Sequence, residues 1–436
     1  MKKYAFKYKI IALLVTVLLI ITGFTACSPI KEISEVAETI MQDVPTADDT
    51  LTSLLDINRA MAEAMARGEE ELTFNAADIG ENELRRIGDN LSTFWGNPIR
   101  YTINYEIQDV EGIVPDRKVV VRNITNYFEL SSNYYVYNYI VNDIPIPEDK
   151  TYATQIANTL PSIAGEIFAD PSASDYDKTL AAHDWLVANV DYDATIPGIS
   201  EQNGSYGAIV LRQTMCQGYA EALELLLKCY TDVEIVQMIG TAQNSGNEAV
   251  DSQNTEEPED AVVDEKTDEP EETIEGDENN EVSSVPSDET PNEWGGHAWN
   301  AVKFDGDWYQ VDTTFNDPRG NPTGHVSHFY FGQTDEVMQM NHQWNAEYFP
   351  VSDTENFLFF RRSGLFAENW EAFEEMFTNM LTEEPITEIE IAIQGAMIDV
   401  DNIQFIYKIR REIEEIRWSE QIWNDICVNS IELIYS

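Results

Sequence analysis

A chain of 436 residues, 43% hydrophobic and 11% aromatic, is too long for one ordinary core and carries enough apolar material for two or three. Its formal net charge of −53 comes without clustered Lys and Arg, which excludes nucleic acid as a partner and excludes adhesion to anionic lipid heads except through a lipid anchor. A cationic partner fits this charge, and solubility alone also accounts for it.

The first 27 residues read as an export signal. Lys2, Lys3, Lys7 and Lys9 precede an apolar run from Ile10 to Phe24, whose 15 residues are short for a membrane span and suited to a signal peptide. Thr25-Ala26-Cys27 follows and resembles a bacterial lipobox, with Phe24 standing where such motifs usually carry Leu. The resemblance implies that Cys27 is the lipidated first residue of the mature protein, a membrane contact through the anchor. An uncleaved anchor is the alternative, and both readings place the remainder outside the cytoplasmic membrane. Of the other cysteines, Cys216, Cys229 and Cys427, an odd number leaves at least one free thiol. Cys229 and Cys427 either pair or serve as buried small hydrophobes.

Residues 28–52 are largely polar and read as a tether. A first α+β module is expected over 53–150. Within it Leu84, Ile87 and Leu91 form one stripe of a helix from Glu81 to Leu91. Alternation at Ile99, Tyr101, Ile103 and Tyr105 predicts a strand, and Lys118 to Tyr139 predicts two more. A second domain spans 155–349. Its Ser174-Asp175-Tyr176-Asp177 makes a capping box ahead of a helical face on which His183 reads as a hydrogen-bonded core histidine.

Residues 243–293 interrupt that domain. From Glu248 to Glu293 there are 19 acidic residues against the single Lys266 and no aromatic residue, so too little apolar surface is available to offset ordering, and disorder is expected. The run lacks the alternating Asp/Asn ligands, central Gly and closing Glu of a calcium loop. The C-terminal extension, 350–436, is expected to be α+β, with a strand at Thr387 to Ile393, a helix near Asp401 to Ile416 and a strand at Ser430 to Tyr435. Strand, helix, strand also describes Leu72 to Tyr105, which raises a distant internal repeat that residue identities are too few to establish.

The chemistry concentrates at Cys216, His297 and Asp312. Apolar residues at Met215, Tyr219, Ala222, Leu223, Leu226 and Leu227 recur at helical spacing, with Thr214 as candidate N-cap, which puts Cys216 in the first turn. Helix-start N–H groups and the positive dipole end favour a thiolate there and can receive an oxyanion. Gly218 leaves room for a close approach of backbone or substrate. Asp305-Gly306 between His297–Phe304 and Asp307–Thr313 is a two-residue hairpin signal. If those two residues form the turn, Phe304 faces Asp307 and Trp299 faces Asp312, so His297, Trp299 and Asp312 share one face. A three-residue turn would put Asp312 on the other face. Cys, His and Asp in this order supply a nucleophile, a proton shuttle and an orienting carboxylate.

From Ser174 to Trp344, the acidic insert aside, the chain resembles the transglutaminase-like superfamily. The motifs are Asp184-Trp185-Leu186, Val190-Asp191-Tyr192-Asp193, Ser205-Tyr206-Gly207-Ala208, Cys216-Gln217-Gly218-Tyr219-Ala220, His297-Ala298-Trp299-Asn300, Asp307-Trp308-Tyr309-Gln310-Val311-Asp312 and His342-Gln343-Trp344. The resemblance implies a papain-like α+β core in which a Cys-bearing helix packs on an antiparallel sheet bearing His and Asp, flanked here by small α+β modules. It implies Cys216 as nucleophile, His297 as general base and acid, and Asp312 as orienter, with Tyr206, Gln217 and Trp299 as oxyanion or pocket candidates. Core or cleft packing is the stronger reading for Trp299 and Trp308.

No cofactor or metal is expected. No H-E-x-x-H, phosphate loop or dinucleotide fingerprint is present, His325 and His328 have no third ligand at metal spacing, and these two and His342 read as structural. The expected activity is thiol-dependent acyl transfer on amide bonds of extracellular peptide, protein or cell-wall peptide substrates. Water as acceptor makes a peptidase or amidase, which is preferred, and a lysine amine makes a cross-linking enzyme. A non-catalytic cell-surface binding or scaffolding lipoprotein is the alternative from another class.

Overall fold

The computed structural model describes residues 50–436 apart from 81–82, 84–85, 89–90, 92–93, 107–117, 198–199, 244–293, 318–325, 384 and 400. The export signal, Cys27, nearly all of the tether, the acidic insert, His325 and most of the expected Glu81–Leu91 helix lie outside the described residues.

The N-terminal module comprises β1 (Thr50–Leu51), α1 (Leu54–Ala66), β2 (Glu71–Gly80), β3 (Gly96–Glu106) and β4 (Lys118–Leu130). Its sheet order is β1-β2-β4-β3, with β1 parallel to β2 and the other pairs antiparallel. Ser53 caps α1 by accepting from Asp56 N–H, and Ile57, Met61, Ala64 and Met65 on one helical face pack with Phe74, Ile124 and Phe128. The expectation of two strands over Lys118–Tyr139 is half right. After β4 the chain forms α2 (Ser132–Asn142), because Ser131 accepts from Tyr134 N–H as an N-cap and Val136 is fully buried in the neighbouring core. The cap and that burial override the strand preference of the tyrosines.

The central domain begins with α3 (Thr151–Ile167) and α4 (Asp175–Asn189), the latter opened by the expected capping box of Ser174 and Asp177. The short parallel pair β5 (Asp191–Tyr192) and β6 (Gln213–Thr214) leads into α5 (Cys216–Tyr230). Leu223, Leu225, Leu226 and Leu227 bury α5 in the main core. A five-stranded sheet lies against it, made of β7 (Ile235–Gln243), β8 (Trp294–Phe304), β9 (Asp307–Val311), β10 (Phe331–Gln333) and β11 (His342–Gln343), in the order β10-β9-β8-β7-β11. Its ladders are antiparallel.

The C-terminal module comprises β12 (Phe366–Ala367), α6 (Trp370–Glu383), β13 (Glu388–Gln394), β14 (Ile413–Trp423) and β15 (Ile426–Tyr435), in the order β12-β13-β15-β14. β12 is parallel to β13, and the other pairs are antiparallel. This repeats the strand order, the pairing sense and the helix position of the N-terminal module, so the two flanks share one topology. The expected helix over Asp401–Ile416 is corrected. Only Phe405–Ile409 is α-helical, and Ile413 onward is strand. A register shift between Ile413 and Glu415 lets Ile413 and Ile416 both face the core, which imitates helical spacing.

Both flanks dock on the centre. Phe94 and Val136 enter the main core. Ala392, Ile426 and Val428 join Met238, Trp299, Ala301, Phe357 and Phe360 in one apolar cluster beneath the central sheet. Among the described residues no helix is long and apolar enough to cross a membrane.

Candidate active site

The β8–β9 hairpin closes at Asp305-Gly306, both with positive φ (54° and 99°), the conformation a two-residue turn of this twist requires. Phe304 pairs with Asp307 and Asn300 with Val311, the expected register. Asp312 follows directly beyond the ladder and is held by its N–H donating to Tyr330 O at 2.9 Å. His297 and Asp312 therefore meet, with His297 Nε2 2.6 Å from Asp312 Oδ2. Nδ1 is left to face Cys216, whose sulfur hydrogen-bonds the His297 side chain and takes a backbone N–H from Ala298.

Cys216 is half-buried and is the first residue of α5, so its N–H belongs to the group that a helix leaves without an i−4 carbonyl. The N-cap is Met215, without a side-chain cap bond, rather than Thr214. The Thr214 hydroxyl instead donates to Gln202 O at 2.9 Å, and its side chain occupies the space beside Gly218. Gly218 is needed for Thr214, because a Cβ there would sit inside that side chain, rather than for substrate approach.

The charges support one another. Burial raises the Cys216 thiol, but the His297 imidazolium outweighs it, so the thiol lies below its ordinary range. Burial disfavours the His297 cation, yet Asp312 and Cys216 push its pKa up to about 10. Burial likewise opposes the Asp312 carboxylate, but His297, His342 and their hydrogen bonds hold it well below the usual carboxylate range. These shifts all favour a thiolate–imidazolium pair with an ionised aspartate behind it.

The other candidates separate into distinct positions. Trp299, 1% exposed, stacks beside His297 at 5.7 Å between centroids and donates Nε1–H to Gln310 Oε1 at 2.7 Å. Its N–H is thus committed and its ring is a wall of the site, not an oxyanion donor. Gln217 donates to Glu221 Oε1 at 2.8 Å, one turn along its own helix. Tyr206 donates to Gln155 Oε1 at 3.3 Å and rests its ring against Tyr152, which ties it to α3. Trp308 is half-buried and packs against the apolar cluster beneath the sheet. His183 is fully buried and hydrogen-bonded as expected. Cys229 and Cys427 are unpaired, and burial pushes both thiols up to about 12.

Two features went unread in the sequence. Gln310, fully buried, bridges Trp299 to Asp335 Oδ1 at 2.5 Å. His342, read as structural, places Nε2 2.8 Å from Asp312 Oδ2. Their contacts span 25 and 30 residues, beyond any local periodicity.

Among the described residues, two histidine–carboxylate groupings have donor types suited to a metal: His297, Asp312 and His342, and His183, Asp184 and His328. His328 thus has the partners in space that its sequence spacing lacks. Hydrogen bonding already accounts for the second grouping. Asn316 Oδ1 accepts Tyr330 N–H, so its NH2 faces His183 Nε2, which leaves the hydrogen on Nδ1 and directs it to Asp184. A ring nitrogen carrying hydrogen has no lone pair for a metal. In the first grouping both ring nitrogens are held at hydrogen-bond distance from one carboxylate oxygen.

No protein-family model matches the chain, and no curated protein matches it. Among solved structures it is similar to a crystal structure of a TGase (TM-score 0.23, 12% identity), covering 64% of this chain and 55% of that one. It is also similar to a proposed cysteine protease from Cytophaga hutchinsonii (TM-score 0.21, 12% identity), covering 50% and 66%, respectively. A third is a proposed protease from Parabacteroides distasonis (TM-score 0.21, 7% identity), covering 84% and 66%. The chain spans little more than half the length of the transglutaminase. The fold is α+β, with a helix carrying the cysteine against an antiparallel sheet carrying the histidine and, at a hairpin end, the aspartate.

Proposed function

We propose that this chain is a thiol-dependent acyl-transfer enzyme that hydrolyses amide bonds of extracellular peptide, protein or cell-wall peptide substrates, tethered outside the cytoplasmic membrane through a lipidated Cys27. The observation that carries the reading is the continuous chain from half-buried Cys216 through His297 to fully buried Asp312. On the approach to His297, Gly295 and Gly296 are exposed, and a Cβ at either would meet nothing within 4 Å, which leaves space for an extended substrate.

The chemistry follows from the proton positions. The Cys216 thiolate attacks the amide carbonyl carbon, a C–S bond forms, and the carbonyl electrons move to an oxyanion beside the N–H groups that open α5. His297 gives its Nδ1 proton to the amide nitrogen, the C–N bond breaks, and amine leaves from a thioester. Water then attacks the thioester, one of its protons passes to His297, the C–S bond breaks to restore the ion pair, and the product acid departs and releases the second proton to solvent as it becomes a carboxylate. Asp312 keeps its charge throughout and holds the ring in the tautomer that faces sulfur.

Iodoacetamide labelling of Cys216 against pH is the test. Labelling should be fast below the ordinary thiol range and slower in His297→Ala at neutral pH. Sluggish labelling indifferent to that substitution would favour the scaffold reading. Peptide substrates assayed with and without a primary amine then separate hydrolysis from cross-linking, with carboxylate product expected in both mixtures.

A further inference from the structure

Asp312 lies one residue past the last ladder pair of β9, so the sheet itself does not hold its carboxyl group. Three donors do. Phe315 N–H reaches Oδ1 at 3.0 Å, while His297 Nε2 and His342 Nε2 reach Oδ2 at 2.6 and 2.8 Å. His342 arrives from the far edge of the sheet. It pairs with Ala242 of β7, and Gly240 and Gly295 stand opposite His297 and Ala242, so no large side chain intervenes between the two imidazoles, whose centroids are 5.4 Å apart.

We propose that His342 is a positioning residue for the acyl transfer: its Nε2–H pins the Asp312 carboxylate, which in turn aims His297 at the Cys216 sulfur. This rests on the assignment of Cys216 as nucleophile.

The donor direction follows from the partner. Asp312 is ionised, so the facing nitrogen must carry the hydrogen. His342 is fully buried, and burial keeps it below the ordinary histidine range, against the pull of Asp312 and with the help of His297. The ring is therefore neutral, a donor that adds no charge to a site already holding three. The groups around it are Asp312, His297, Asn341 Oδ1 at Nδ1 (2.7 Å), the Met338 backbone, whose hydrogen bond pulls toward the charged ring but does not outweigh burial, and the rings of Trp299, Phe315 and Tyr330. Asn341 Nδ2 meets the Tyr330 hydroxyl at 2.7 Å; with the amide turned end for end, Tyr330 donates to its oxygen and its NH2 donates to Nδ1, the arrangement that serves the neutral ring. A second donor on Asp312 also lowers its basicity, which keeps the shared proton on His297.

Two substitutions separate hydrogen bonding from packing. His342→Phe keeps a ring among the aromatic neighbours and removes the donor. His342→Gln removes the ring and keeps an amide N–H at the distal position. Once thermal unfolding shows that both fold, iodoacetamide labelling of Cys216 and peptide turnover at neutral pH should fall about tenfold or more in the Phe variant. The Gln variant should stay within about threefold of the parent. Equal losses in the two, large or small, or the reverse order, would overturn the proposal. An independent measurement needs no variant: the imidazole 15N shifts of the parent protein should show His342 with hydrogen on Nε2, and an Nδ1–H tautomer would overturn it. If instead the parent Cys216 labels only in the ordinary thiol range, the nucleophile assignment itself fails, an outcome distinct from a change confined to His342 variants.

Discussion

Glu390 of the C-terminal module grips His328 of the central domain twice, accepting its backbone N–H at 2.8 Å and its ring Nδ1–H at 3.2 Å. On the other side Nε2 donates to Asp184 Oδ1 of α4 at 3.1 Å, and Phe359 stacks on the ring at 3.7 Å. With carboxylates at both nitrogens the ring is an imidazolium. Burial opposes that charge, yet the two carboxylates raise its pKa to about 9. A folded value above the unfolded one means a stabilisation fully present below about pH 6.5 and lost as pH rises through about 9. Thermal unfolding from pH 6 to 10 should show that decline, and His328→Gln should be less stable at pH 6 and flatter across the range. An unchanged slope in the variant would show that the decline arises elsewhere.

Asp312→Asn tests the orienting role. The amide keeps one acceptor: with its oxygen toward His297 and His342 its NH2 opposes Phe315 N–H, and turned round it opposes both imidazoles, so either way a donor is left facing a donor and the negative charge is lost. Peptide turnover should fall about 10³- to 10⁴-fold with little change in KM. A loss below tenfold in kcat would show that Asp312 is not needed to orient the ring.

Glu224 carries a different pH signature. It lies two turns beyond Cys216 on α5, is 4% exposed, and has one carboxylate oxygen without a partner. Burial raises its pKa to about 7 even with Lys228 Nζ 3.4 Å away. For an acid raised in the folded state, stability is greatest below the unfolded value near 4.5 and falls as pH rises through about 7. Glu224→Gln should remove that fall and stabilise the protein at pH 8 by up to about 3 kcal/mol, read by urea unfolding. Lys228 keeps company with the Phe94 and Trp95 rings at 5.6 and 5.8 Å, so its charge is not stranded. A variant less stable at pH 8 would show that the ion pair dominates the burial cost.

The strands that flank residues 244–293 meet directly, with Gln243 of β7 paired to Trp294 of β8. A two-residue Asn-Gly turn can therefore replace the whole segment without moving either strand. The shortened protein should unfold cooperatively within a few degrees of the parent and label at Cys216 at an unchanged rate. A large drop in Tm would show that the segment contributes to the fold.

The hairpin was legible because a single dipeptide sets it. Asp305-Gly306 supplies two consecutive positive-φ positions, and the period of two then carries His297 and the register forward to Asp312. The Ser174–Asp177 box was legible for a similar reason, since a cap is chemistry within one turn. The strand beginning at Ile413 was not, because a register shift gave its apolar residues the spacing of a helix. The tyrosines after β4 were not, because a cap and a distant core overrode their preference. The shared topology of the two flanks left almost no trace in residue identity. Many sequences meet the demands of one helix packed on one four-stranded sheet.

By itself the sequence determined which atoms can do chemistry: a thiol at a helix start, and an imidazole and a carboxylate on one hairpin, each specified by neighbours a few residues away. Tertiary structure decided what surrounds them. Neither the docking of the cysteine helix on that hairpin, nor His342 reaching Asp312 across the sheet, nor Glu390 fastening a separate module to His328, follows from local pattern. Such contacts form where whole elements bury their apolar faces together, and the strength of that burial depends on the complete packed chain.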